Sequence, residues 1–198
     1  MSNQNYLEIV VPIRLDTKWH QSLVKELSAV QTKIEWLGEG THHQTLVFIN
    51  DGSLVDQLKT KFSKIRIKPI TLTIDKLEAF TTGAGDKHVV CLTSSKLPAE
   101  LQNLAENARK LADSLEANYD KRPLKLHITL CKIPSGTVSL EDVKSILAKI
   151  QLPVFNCCLR EIQYRYKGGG LIWKYNCPLN YNPHSPTSDG QEVGLCGL

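Results

Sequence analysis

Apolar positions recur along this chain with two different periods. Tyr6 to Arg14 (YLEIVVPIR) is apolar and β-branched, which predicts a strand. Asp16 offers a helix cap, and Trp19, Leu23, Leu27 and Val30 follow at three- and four-residue steps, the mark of an amphipathic helix. Gly38-Glu39-Gly40 breaks the pattern, and His43 to Asn50 (HQTLVFIN) reads as a second strand. Asp51-Gly52 turns the chain. Ser53-Leu54-Val55-Asp56 resembles a capping box before a short helix carrying Leu54, Leu58 and Phe62. Ile65 to Phe80 alternates apolar and polar residues, predicting a long strand or one broken at Pro69. A Thr82-Gly83-Ala84-Gly85 loop then leads into a strand from His88 to Thr93.

The second half runs through a similar order. Pro98 opens a helix with Leu101, Leu104, Ala105, Ala108, Leu111, Ala112 and Leu115 on one stripe. Leu124 to Ile133 (LKLHITLCKI) predicts a strand. Ser139 starts another helix bearing Leu140, Val143, Ile146, Leu147 and Ile150. Val154 to Tyr166 and Leu171 to Cys177 read as a hairpin around Gly168-Gly169-Gly170, and Asn182 to Leu198 as a loose polar tail. The half-chains thus share a helix, a histidine-bearing strand, a short helix and a hairpin. The expected architecture is α+β, with two pseudo-symmetric lobes, each an antiparallel sheet with helices on its outer face, around a central cleft. Residues 1–181 are expected to form a single domain and residues 182–198 a C-terminal tail.

Composition changes this picture little. The chain has 198 residues, enough to bury a core without a disulfide or metal staple, and a net charge of +4, which permits an anionic substrate. No apolar run approaches a membrane span, and the first residues lack a basic n-region and a cleavage box, so a cytoplasmic protein is expected. The six cysteines contain no C-x-x-C pair. Cys91 and Cys131 lie inside apolar runs as reduced, buried thiols, and the adjacent Cys157 and Cys158 point to opposite faces of an extended chain. A structural zinc site is not expected.

The chemistry sits in a repeated tripeptide. His43-Gln44-Thr45 and His127-Ile128-Thr129 have their histidines 84 residues apart, each followed within about ten residues by a capped helix. On a strand, residues i and i+2 share a face, so each motif presents an imidazole beside a hydroxyl while Gln44 and Ile128 point away. Either motif alone is weak, since a strand histidine is most often simply hydrogen-bonded. Two in matching half-chains could face each other across a cleft. One neutral imidazole would then accept a proton while a charged one donates, as cleavage at a phosphodiester requires. The threonine hydroxyls would donate to non-bridging phosphate oxygens, and this arrangement requires no metal or cofactor.

With these motifs the sequence resembles the two-histidine (2H) phosphoesterase superfamily, and within it the bacterial and archaeal 2′-5′ RNA ligase / RNA 2′,3′-cyclic phosphodiesterase family. HQTLVFI and HITLCKI match the paired H-x-T-x signatures. PITLTIDKLEAF resembles the strand after the first lobe's helix, and YRYKGGGLIWKYNCPL the closing hairpin; the match spans roughly residues 6 to 181. The resemblance implies that His43 donates a proton, that His127 activates water, and that Thr45 and Thr129 bind phosphate. It also implies Lys132 as a phosphate ligand, where the family usually carries arginine; a lysine keeps the charge but loses the guanidinium fork.

The remaining histidines read as structural. His42 should face away from His43, His20 lies beside Trp19 on a helix, and His88 has Val90, not threonine, at i+2. Lys59, Lys61, Lys64, Arg66 and Lys68 form a solvated basic run, whereas Lys121, Arg122 and Lys125 approach the second motif and could meet an RNA backbone. Tyr164, Tyr166 and Trp173 could stack on a base or pack the sheet. The expected activity is metal-independent hydrolysis of RNA 2′,3′-cyclic phosphate ends to 2′-phosphate, with 2′-5′ ligation open in reverse. The expected partners are RNA ends or small cyclic-phosphate nucleotides, for a protein acting as a monomer without a membrane. The alternatives are a phosphodiesterase for a small nucleotide, such as a 2′-5′ oligoadenylate or an ADP-ribose cyclic phosphate, and a non-catalytic nucleotide- or RNA-binding module of the same fold.

Overall fold

The structure, a computed structural model, describes residues 7–15, 17–28, 33–38, 40–62, 68–166 and 171–176. The expected tail, Cys177, Cys196 and the Gly168-Gly169-Gly170 turn lie outside them, as do Asp16 and Val30. The architecture is α+β. Two four-stranded antiparallel sheets carry most of the chain, and a two-stranded sheet completes it.

In the first sheet β1 (Leu7–Pro12) lies between β3 (His43–Ile49) and β9 (Glu161–Tyr166), and β9 pairs on its far side with β10 (Leu171–Asn176). In the second, β7 (Ile128–Pro134) lies between the two-residue β2 (Glu35–Trp36) and β6 (Lys87–Thr93), followed by β5 (Lys76–Thr81). The third pairs β4 (Ile70–Ile74) with β8 (Phe155–Leu159). The helices are α1 (Thr17–Ser28), α2 (Val55–Phe62), α3 (Ala99–Asp113) and α4 (Leu140–Leu147). Among the described residues no helix is long and apolar enough to cross a membrane.

The predicted stripes form the core. Leu23 and Leu27 of α1, Leu101, Ala105, Ala108 and Ala112 of α3, and Val143 and Leu147 of α4 are buried with Ile9, Val11, Leu72, Val90, Leu92 and Ile128 from the strands. Ser139 caps α4 as expected: its Oγ accepts the Asp142 N–H at 3.1 Å and donates to the Asp142 carboxylate at 2.6 Å.

Four expectations change. The cap before α2 is not a Ser53–Asp56 box: Asp51 Oδ1 accepts both the Ser53 N–H (2.9 Å) and hydroxyl (2.6 Å), because an Asx turn two residues long is the shorter closure. The strand run ending at Phe80 breaks at Asp75, whose Oδ1 accepts the Ser95 N–H at 2.7 Å, so β4 and β5 enter different sheets. Val154 to Tyr166 is not one hairpin arm; it divides at Arg160, sending β8 to β4 and leaving the hairpin to β9 and β10. Finally, the strand expected from Leu124 begins only at Ile128. The cause lies at the candidate site.

Candidate active site

Both H-x-T motifs sit at a defect in their strand, and it is the same defect. In β3, Val47 pairs with Ile9 and Thr45 with Val10, so Leu46 is an extra residue in the ladder. In β7, Cys131 pairs with Val90 and Thr129 with Cys91, so Leu130 is extra. A bulge at the leucine after each threonine resets the side-chain alternation. Lys132, five residues past His127, would face away from it on a regular strand. With the bulge, it shares a face with Thr129, Cys91, Val89 and Phe80, its neighbours in the ladder. The same count in β3 brings Phe48 to the face of His43 and Thr45. There it lies opposite Glu8, which in turn pairs with Arg165 of β9.

The two rings are held alike. The Nδ1 of His43 donates to the Thr41 carbonyl at 2.7 Å, and that of His127 to the Lys125 carbonyl at 2.9 Å. Each bond spans two residues and fixes the Nδ1–H tautomer, which leaves Nε2 of both neutral imidazoles with a lone pair able to accept a proton. The charge of His127 bears on the titration of His43, which places the two rings in one electrostatic site. Among the described residues, neither the Thr45 nor the Thr129 hydroxyl makes a protein hydrogen bond, and both side chains are half-buried.

His43 is the more constrained of the pair. Burial holds its pKa below the usual histidine value, the Thr41 bond opposes this, and the charges of Arg165 and His127 lower it further. Arg165 is buried, donates from Nε to Gln163 Oε1 at 2.7 Å, and reaches the Thr41 carbonyl at 3.3 Å. On the other side of the ring, Glu8 Oε2 stands 3.9 Å from His43 Nε2, an ion-pair separation once that nitrogen is protonated. Around His127 the neighbours differ. Phe80 meets its ring edge-on at 6.2 Å between centroids, and Lys125 Nζ lies 5.5 Å above the Phe80 ring.

Sequence reasoning singled out His43, Thr45, His127, Thr129 and Lys132: His43 and Thr45 lie in β3, Thr129 and Lys132 in β7, and His127 immediately before β7. Lys132 is exposed, with the charge of Asp86 near it and Glu35 opposite it in the ladder. What the sequence reading missed are Glu8, Arg165, Phe80 and Gln44. Glu8 had a signal, a lone charge inside the otherwise apolar β1; Arg165, on a strand that also carries Glu161 and Gln163, had none, and neither did Phe80.

Among the described residues, the other histidines make contacts within the fold. His42 is buried and faces His20, with centroids 5.3 Å apart, and His20 meets Trp36 at 5.7 Å. His88 is buried, with Nδ1 at 3.0 Å from the Thr81 hydroxyl and Nε2 at 3.0 Å from the Val138 carbonyl. Tyr164 is fully buried and packs the sheet; the side chains of Tyr166 and Trp173 lie outside the described residues. Cys157 is buried and Cys158 exposed, as an extended pair requires, and burial pushes the Cys91 and Cys131 thiols up to about 12. In the basic run, Lys61 is tied to the end of α3 through the Ser114 carbonyl (3.3 Å) and hydroxyl (3.0 Å). Lys64 and Arg66 lie outside the described residues.

No protein-family model and no curated protein matches the sequence. Solved structures do match. A phosphoesterase superposes with a TM-score of 0.60 at 17% identity, over 87% of this chain and 97% of that one. E. coli LigT in complex with 3′-AMP gives 0.59 at 17% identity, over 86% and 98%. Kluyveromyces marxianus Usb1 with uridine monophosphate gives 0.54 at 12% identity, over 90% and 100%. The chain has the fold of these proteins, the one implied by the resemblance of its motifs.

Proposed function

We propose that this chain is a 2H phosphoesterase that acts on phosphate ends of RNA, hydrolysing 2′,3′-cyclic phosphates to 2′-phosphates. The observation that carries this reading is the matched pair of imidazoles, each with Nδ1 tied to a backbone carbonyl and each beside a threonine hydroxyl with no hydrogen-bond partner among the described residues. The fold shared with LigT and Usb1 supports it. In this mechanism the Thr45 and Thr129 hydroxyls donate to the non-bridging oxygens of the cyclic phosphate. His127 Nε2 takes a proton from water as its oxygen attacks phosphorus. The bond from phosphorus to the 3′ oxygen breaks, and His43 gives that oxygen its proton. The product carries a 2′-phosphate and a 3′-hydroxyl. Glu8, 3.9 Å from His43 Nε2, attracts the charged imidazole that must act as donor, against burial and Arg165, which disfavour that form. Lys121 and Lys125 lead toward His127 and offer phosphate contacts to the preceding RNA strand, while Arg122 between them is paired with the Asp120 carboxylate.

The test is product analysis on an oligonucleotide with a 2′,3′-cyclic end, beside a 2′-5′ oligoadenylate and ADP-ribose cyclic phosphate as competing substrates. The expected product is a 2′-phosphate, formed at the same rate with and without a chelator, since two imidazoles supply both proton transfers. A chelator-sensitive reaction restored by a divalent ion would replace acid/base catalysis with metal-assisted hydrolysis. Turnover of the small nucleotides alone would move the substrate class.

Lys132 gives a second expected result. The bulge at Leu130 supports a role for it, because Lys132 then shares the face of Thr129, from which an ammonium would neutralise phosphate. Lys132→Ala should raise KM by about tenfold or more, the scale of a lost charged hydrogen bond, with kcat less affected. Lys132→Arg should preserve or tighten binding. An unchanged KM in the alanine variant removes Lys132 from the site.

A further inference from the structure

The residue between His43 and Thr45 does something the second motif has no equivalent for. Gln44 is completely buried, whereas its counterpart Ile128 is a plain core residue. Burying an amide is costly unless its polar atoms are paired, and here they are. Gln44 Oε1 accepts the backbone N–H of His127 at 2.8 Å. Its Nε2 donates to the Thr45 carbonyl at 2.7 Å and to the Lys125 carbonyl at 3.3 Å. The amide's orientation is forced, because an N–H needs an oxygen and two carbonyls need donors.

These bonds join the two motifs directly. β3 and β7 belong to different sheets, with no backbone ladder between them. The Lys125 carbonyl that Gln44 touches also fixes the His127 ring through Nδ1. The His127 N–H that it accepts belongs to the residue just before β7 begins. That N–H is bound by a side chain instead of a ladder partner, and this is why the expected strand starts one residue after the histidine.

We infer that Gln44 is the positioning residue that sets the separation and relative orientation of the two imidazoles. It touches neither substrate nor reacting atom. It acts through the backbone of His127 and through the carbonyl that orients that ring. The inference rests on the proposed two-histidine mechanism for its kinetic consequence, but its structural part stands without it.

The test uses Gln44→Met, which keeps the volume and removes all three bonds, and Gln44→Glu, which keeps the oxygen that His127 N–H needs. Amide hydrogen exchange is measured first. In Gln44→Met the His127 amide should lose protection while the β6–β7 ladder amides keep theirs. On a 2′,3′-cyclic oligonucleotide, kcat should fall by about 10²-fold, the scale of an ångström's misplacement, with KM within about twofold. Gln44→Glu should recover part of that kcat, and more as the pH falls and the buried carboxyl becomes neutral and able to donate. If Gln44→Met does not fold, the pH-dependent kcat of Gln44→Glu against wild type decides. A protected His127 amide in Gln44→Met, an unchanged kcat, or a Gln44→Glu deficit that does not shrink at low pH overturns the inference. A wild type inactive on cyclic phosphates defeats the proposed function instead, and leaves the exchange result to judge Gln44.

Discussion

Replacing either His43 or His127 with alanine should cost about 10²–10⁴-fold in kcat, and replacing both should cost little more than one. Each histidine performs half of one proton relay, so the second loss has little left to remove. The rings are half-buried and each has its one short hydrogen bond, through Nδ1, to a backbone carbonyl two residues away, so both variants should fold normally. The pH profile tests the roles. His127 must be neutral to accept, which gives the wild-type rate its acid limb; His43 must be charged to donate, which gives the alkaline limb. His43→Ala should therefore lose the alkaline limb and His127→Ala the acid one. Burial and Arg165 hold His43 below the usual histidine range, so the charged donor is the minority form of the free enzyme near neutral pH and kcat/KM should fall as the pH rises through neutrality. A bound phosphate anion raises the same group, so the alkaline limb of kcat should lie higher. Fully multiplicative losses in the double variant would break the pairing. Limbs lost in the opposite order would exchange donor and acceptor.

Acid should destabilise the fold through His42, the neighbour of His43. His42 is 3% exposed and its pKa is lowered to about 4, chiefly by burial, then by the charges of His20 and His43. The folded protein thus binds the His42 proton more weakly than the unfolded chain, whose histidine titrates near 6.5. The stabilisation from keeping it neutral is fully present above pH 6.5. It is lost as pH falls toward 4, by about 3 kcal/mol over the whole window. Denaturant unfolding of wild type and His42→Leu, each at pH 7 and pH 4.5, measures this. Among the described residues the Nε2 of His42 has no hydrogen-bond partner, so leucine gives up no bond there. The variant should lose markedly less stability on acidification than wild type. Equal losses in the two proteins would show that His42 does not carry the acid sensitivity. Comparing two proteins at two pH values also separates His42 from the carboxylates, which titrate in both.

His42 and His43 show how far the sequence reaches. Alternation along a strand is a local rule with a period of two, so neighbouring histidines had to face opposite environments, and the threonine at i+2 chose which one belongs to the site. Both H-x-T pairs, the stripes of α1, α3 and α4, the Ser139 cap and the α+β class follow from the same kind of local spacing. The tertiary structure decided everything that depends on a partner far along the chain. Whether β8 pairs with β9 or with β4 is a choice between ladders, and the local pattern of Val154 to Tyr166 is compatible with both. The bulges at Leu46 and Leu130 exist only against β1 and β6, and without them the spacing from His127 to Lys132 has the wrong parity. Glu8 and Arg165 reach His43 because β1 lies between β3 and β9. Gln44 looked like the residue that turned its back on the chemistry. A buried amide must find donors and acceptors wherever the fold supplies them, and this fold supplies them on the other histidine's backbone.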